Sequence, residues 1–93
     1  MAEQTKRNLR AIVSDISEGF ITVNPIYLKP FDENDLKSLC KAIERKQTEI
    51  RTEPFPYDDV YLIRKRNIRL QRLYTALMVI KNFAREKKFR ISY

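Results

Sequence analysis

Five cations fall within nine residues in the segment Arg64-Lys65-Arg66-Asn67-Ile68-Arg69-Leu70-Gln71-Arg72. On a helix, at about 100° per residue, Lys65, Arg69 and Arg72 lie within about 60° of one another, with Arg64 beside them. Tyr61 falls on the same side, one turn before Lys65. Guanidinium groups grip phosphates bidentately, and a tyrosine ring offers a face on which an exposed base can stack. Lys87, Lys88 and Arg90 form a second cationic patch near the C-terminus, with Arg85 extending the field. Arg66 does not join the main face; it projects into the apolar side of the helix, where it can snorkel, pair with an acid of the helix expected over 32–53, or meet a partner. The competing interpretation is a solvated helix face with Tyr61 in the core.

These cations are not diluted by acids. Residues 1–53 carry nine Lys/Arg and nine Asp/Glu, whereas residues 54–93 carry ten Lys/Arg against Asp58, Asp59 and Glu86. The formal net charge of +7 therefore sits entirely in the C-terminal segment. A one-sided positive field attracts a polyanion, with nucleic acid the first candidate. The segment lacks the glycine and aromatic pattern of an RRM, a GXXG loop and zinc-finger ligands, and Pro54-Phe55-Pro56 fits the turn of a helix-turn-helix poorly. Phosphate contact with little base readout is the expectation, on DNA or RNA.

Catalytic chemistry is harder to assemble. The chain has no histidine and one cysteine, Cys40. Imidazole acid–base chemistry, the common zinc sites and an internal disulfide are excluded. Asp58-Asp59 and Asp32-Glu33-Asp35 could attract a divalent cation, but both stand at expected helix starts, where carboxylates offset the positive dipole end. No catalytic residue, metal site or cofactor is expected, and the chain reads as a non-enzyme. Cys40 falls on an apolar helix face and reads as a core residue.

The elements that must position the basic face follow from patterning. Ninety-three residues make one domain. Residues 1–8 read as a frayed lead. Residues 9–28 read as a β-hairpin and an extended stretch: β-branched runs at Ile12-Val13 and Ile21-Thr22-Val23 flank Gly19, and Pro25 and Pro30 bracket Ile26–Lys29. Leu9, Ile12, Val13 and Ile16 also fit a helical face with Gly19 as its stop, so a helix over 9–17 stays open. Residues 32–53 predict an amphipathic helix capped by Asp32, with Leu36, Leu39, Cys40, Ile43 and Ile50 on one side. Residues 58–88 predict a longer helix, capped by Asp58 or Asp59. Ile63, Leu70, Leu73, Leu77, Ile80 and Ala84 make one apolar stripe on it, and Ala76, Val79 and Phe83 a second. Burial between two partners follows: the first helix, and either the hairpin or a second subunit. Residues 89–93 alternate and could form a short strand.

The expected fold class is thus α+β: an N-terminal β-hairpin followed by two antiparallel helices, the second long and central. P-F-x-x-[ND]-D-apolar occurs at Pro30–Leu36 and again at Pro54–Val60, a helix-start signal used twice. Lys29-Pro30-Phe31, continued by Asp32, Leu36 and Leu39, locally resembles the last strand-to-helix junction of response-regulator receiver domains. Only 28 residues precede Lys29, too few for that family's other strands and helices, so no activity is carried over.

The functional expectation is a small nucleic-acid-binding protein of accessory or regulatory type, contacting phosphates through Arg64, Lys65, Arg69 and Arg72. Replacing Arg69 and Arg72 with Glu should then abolish binding and spare the fold. The alternative is a protein–protein interaction module docking on an acidic partner within a larger assembly. A homodimer through the heptad-like stripe Ile63–Ala84 is conceivable if the first helix leaves it uncovered. Met1–Arg10 has no apolar run of signal-peptide type, and the longest apolar run, Ala76–Ile80, is far short of the ~20 residues a membrane span needs. The expected location is cytoplasmic.

Overall fold

A computed structural model describes residues 8–89. Four helices follow in order: α1 (Leu9–Glu18), α2 (Pro25–Leu28), α3 (Glu33–Thr52) and α4 (Val60–Glu86). There is no strand among the described residues, so the architecture is all-helical and not α+β. No helix among them is long and apolar enough to cross a membrane.

The hairpin expected over 9–28 is corrected first. Residues 9–18 form α1. The Asn8 side chain caps it, accepting from the backbone N–H of Arg10 at 3.1 Å and of Ala11 at 3.3 Å. Gly19 ends it at φ 86°. The Gly19 N–H donates to the Ile16 carbonyl and the Phe20 N–H to the Asp15 carbonyl, the paired bonds of a Schellman ending. Ile12, Val13 and Ile16 are buried. Their β-branching costs the helix roughly 1–2 kcal/mol in total. Burying each side chain contributes about 1.5–3 kcal/mol. Tertiary burial of one helical face therefore outweighs the local strand preference.

The stretch 26–29 is not extended either. Pro25 starts the single turn α2, and the Asn24 side chain accepts from the Tyr27 N–H at 2.9 Å. A proline at the first helical position loses no bond it would otherwise make. Leu28 anchors the turn in the core. Lys29 follows a helical turn, so the strand of the receiver-domain resemblance is absent.

The two long helices form the hairpin-like body. Asp32 and Asp35 exchange side-chain-to-backbone bonds of 2.8 and 3.1 Å, a reciprocal cap at the start of α3. Leu36, Leu39, Cys40, Ile43 and Ile50 are buried, as their spacing implied. Asp59 caps α4, accepting from the Leu62 N–H at 3.1 Å. The repeated start signal is thus used in two registers: its third residue caps α3 and its sixth caps α4.

α4 packs against α1, α2 and α3. The two-sided burial expected of it is real, but its second partner is a helix where a hairpin or second subunit was expected. Leu73, Ala76, Leu77, Ile80, Phe83 and Ala84 are buried inside this one chain. Of the heptad-like stripe, Leu73, Leu77, Ile80 and Ala84 are thus covered within this chain, while Ile63 and Leu70 are half-buried. Burial is confined to the C-terminal half of α4. Val60, Tyr61, Leu62 and Ile68 are exposed, and the N-terminal turns overhang the body. This gives principal extents of 45 × 24 × 21 Å and a radius of gyration of 14.0 Å, against about 12 Å for a compact chain of this size. Phe89 is not in a strand; residues 90–93 of the expected closing strand, and most of the expected lead, lie outside the described residues.

Candidate functional site

The overhanging half of α4 carries the basic segment. Tyr61, Arg64, Lys65, Arg69 and Arg72 meet there around one open depression of about 310 Å³, joined by Ile68 and by Glu18 from the end of α1. Every member of the main face expected from the sequence lines this depression. Four cations face one acid.

The structure divides these cations into two groups. Arg64 and Lys65 are exposed, and neither makes an ion pair among the described residues. Arg69 and Arg72 are engaged with the fold. Arg69 lies 3.6 Å from Glu18 through Nε and 3.8 Å from Glu53 through Nη1, with its side chain only 17% exposed. Both separations are beyond hydrogen-bond reach, and Nε has no hydrogen-bond partner, so charge holds Arg69 between the ends of α1 and α3. Arg72 Nη1 donates to the Ser17 carbonyl at 3.0 Å. That carbonyl is among the last of α1, which no intrahelical donor satisfies, and a cation there also suits the helix dipole. Arg72 stays exposed, and one hydrogen bond leaves most of its five donors available. The expectation that Arg69 and Arg72 can be reversed without harm to the fold is therefore not supported.

Gly19 makes this arrangement possible. A Cβ on Gly19 would stand 2.9 Å from Arg72 Cζ, at a backbone φ of 86°. Gly19→Ala is expected to lower the unfolding free energy by about 1–3 kcal/mol, through left-handed strain and displacement of the guanidinium. A urea denaturation midpoint equal to that of the native chain would contradict this account.

Arg66 makes no ion pair with an acid among the described residues. Its guanidinium sits over the Phe55 ring, 5.2 Å from the centroid. Phe55 in turn meets Tyr57 at 4.8 Å, so the segment between α3 and α4 folds back on the first turns of α4. Lys87 and Lys88 are exposed at the opposite end, about 33 Å along the axis from Lys65. Lys87 Nζ lies over the Phe83 ring at 5.6 Å. They form a separate patch, and Arg90 lies outside the described residues. Cys40 is buried. Asp32 and Asp59 serve as caps, and no group of three or more metal-ligating side chains occurs among the described residues.

A second groove, of about 400 Å³, adjoins the depression. The segment after α1 forms one wall with Gly19, Ile21, Thr22 and Val23, and α4 forms the other with Ile68, Gln71, Arg72, Thr75 and Ala76. The two concavities share Ile68 and Arg72. Sequence reasoning missed this groove and the Glu18 partner of Arg69 because both depend on α1 being a helix, and it missed Glu53 because that pairing depends on how the end of α3 meets α4. Had 9–18 been taken as one, the C-terminal carbonyl of Ser17 and the carboxylate of Glu18 would have marked the natural acceptors for nearby arginines. Comparison with protein-family models, curated proteins and solved structures finds no match to this chain.

Proposed function

We propose that the chain is a small, non-enzymatic nucleic-acid-binding protein of accessory or regulatory type, contacting phosphates through the depression on the first half of α4. The convergence of Arg64, Lys65 and Arg72 beside an exposed Tyr61, with a single acid nearby, carries this reading. Glu18 and Glu53 already offset the charge of Arg69, so three cations remain to displace counterions. The logarithm of affinity for duplex DNA should then fall against the logarithm of salt with a slope of about −2.7, where all four cations of the face unpaired would give about −3.6 and the five contacts expected from the sequence about −4 to −5. Fluorescence anisotropy of a labelled oligonucleotide across a salt series measures it. A flat response, or no binding at low salt, would remove the reading.

One observation favours a second reading, a protein-interaction module docking on an acidic partner. Tyr57, Val60, Tyr61 and Leu62 are all exposed where α4 begins. A pull-down that is salt-sensitive yet survives nuclease treatment would select it.

A further inference from the structure

We infer that the nucleic acid this site takes is unpaired, with bases lodged in the groove between the Gly19–Val23 segment and α4 and phosphates held by Arg64, Lys65 and Arg72. This rests on the nucleic-acid reading above and adds the strand state of the ligand.

The first ground is shape. The basic depression and the second groove lie side by side along α4 and share Ile68 and Arg72, whose guanidinium reaches across to Ser17 and stands between them, so that together they form a stepped trough. From Tyr61 to Thr75 it runs about 21 Å. A duplex presents phosphates on a convex surface and keeps its bases stacked inside, so it could touch the rim cations but not the trough. A single strand can turn its bases into a concavity while its backbone stays on a charged edge.

The second ground is the chemistry of the lining, which changes along the trough. Arg64 and Lys65 stand at the Tyr61 end and have no ion-pair partner among the described residues. Arg72 stands at the junction, with its guanidinium held against Gly19 and bonded to Ser17. Beyond it the lining turns apolar and neutral-polar. Ile21, Val23 and Ile68 suit the faces of bases, and Thr22, Gln71 and Thr75 can donate to or accept from their edges. A site that met only phosphate would have no use for this second stretch. Tyr61, 70% exposed, supplies an aromatic face at the charged end, where successive bases can stack regardless of sequence.

The test uses the intact chain and three probes in anisotropy titrations: a mixed-sequence single-stranded DNA, the same length of abasic sugar-phosphate, and the matching duplex. The single strand should bind about ten-fold more tightly than either other probe, the effect of stacking about one base. Tyr61→Ala, which leaves the core untouched, should lower single-strand affinity only part of the way to the abasic value, since the bases in the groove are kept, and leave duplex affinity unchanged. Equal affinity for single strand and abasic strand, or a duplex that binds as tightly as the single strand, overturns the inference while sparing the nucleic-acid reading. No binding to any probe at low salt overturns both.

Discussion

The double replacement Arg64→Glu with Lys65→Glu lowers oligonucleotide affinity by roughly 30- to 100-fold near physiological salt, because two phosphate contacts are lost and two repulsions added. It also flattens the salt dependence by about two contacts' worth. The thermal midpoint stays within a degree or two of the native chain, since both side chains are exposed and no ion pair among the described residues depends on them. These positions discriminate where Arg69 and Arg72 cannot. Reversing Arg69 would gather three carboxylates at the ends of α1 and α3, and reversing Arg72 would strip the Ser17 carbonyl of its donor. Loss of binding in such a variant could reflect displacement of α1 alone. Unchanged affinity in the Arg64/Lys65 variant, measured by anisotropy beside a circular dichroism melt, would remove the depression from the mechanism.

The sequence made some of this legible and withheld the rest for physical reasons. α3 and α4 could be read because each carries a cap and a long periodic face: Asp32 with Asp35 begins one, Asp59 the other, and length averages out local exceptions. α1 was ambiguous because ten residues give too few turns for period alone to overrule three β-branched side chains. Its identity is decided by what lies against it, which propensity does not encode. The grouping of Tyr61, Arg64, Lys65, Arg69 and Arg72 was legible because one helix sets their relative angles. Their division of labour was not. Whether an arginine is free or engaged depends on acceptors brought by other elements, here Glu18, Glu53 and the carbonyl of Ser17.

Leu73→Ala is expected to destabilise the protein by about 3–4 kcal/mol, a large share of the roughly 5–10 kcal/mol that holds a domain of this size together. At roughly 1–1.5 kcal/mol per molar urea, the midpoint should fall by about 2–3 M. Leu73 has 0% exposure and is the first buried residue along α4. One and two turns earlier, on the same side, stand the half-buried Arg69 and Arg66, so at Leu73 the inward face of α4 passes from cations to hydrocarbon. The two layers contribute unequally. Arg69→Met keeps the aliphatic stem and removes only ion pairs of 3.6 and 3.8 Å; pairs this long, whose carboxylates remain solvated, contribute about 1 kcal/mol or less. Urea titrations of the two variants side by side should therefore rank Leu73→Ala far below Arg69→Met in stability. The reverse order would mean that the arginine clasp, and not the apolar layer, holds α1 and α3 to α4. In that event polyanion binding near Arg69 would compete with the fold itself. With the expected order, the C-terminal half of α4 secures the body, and the overhanging half can exchange its counterions for a ligand without loosening it.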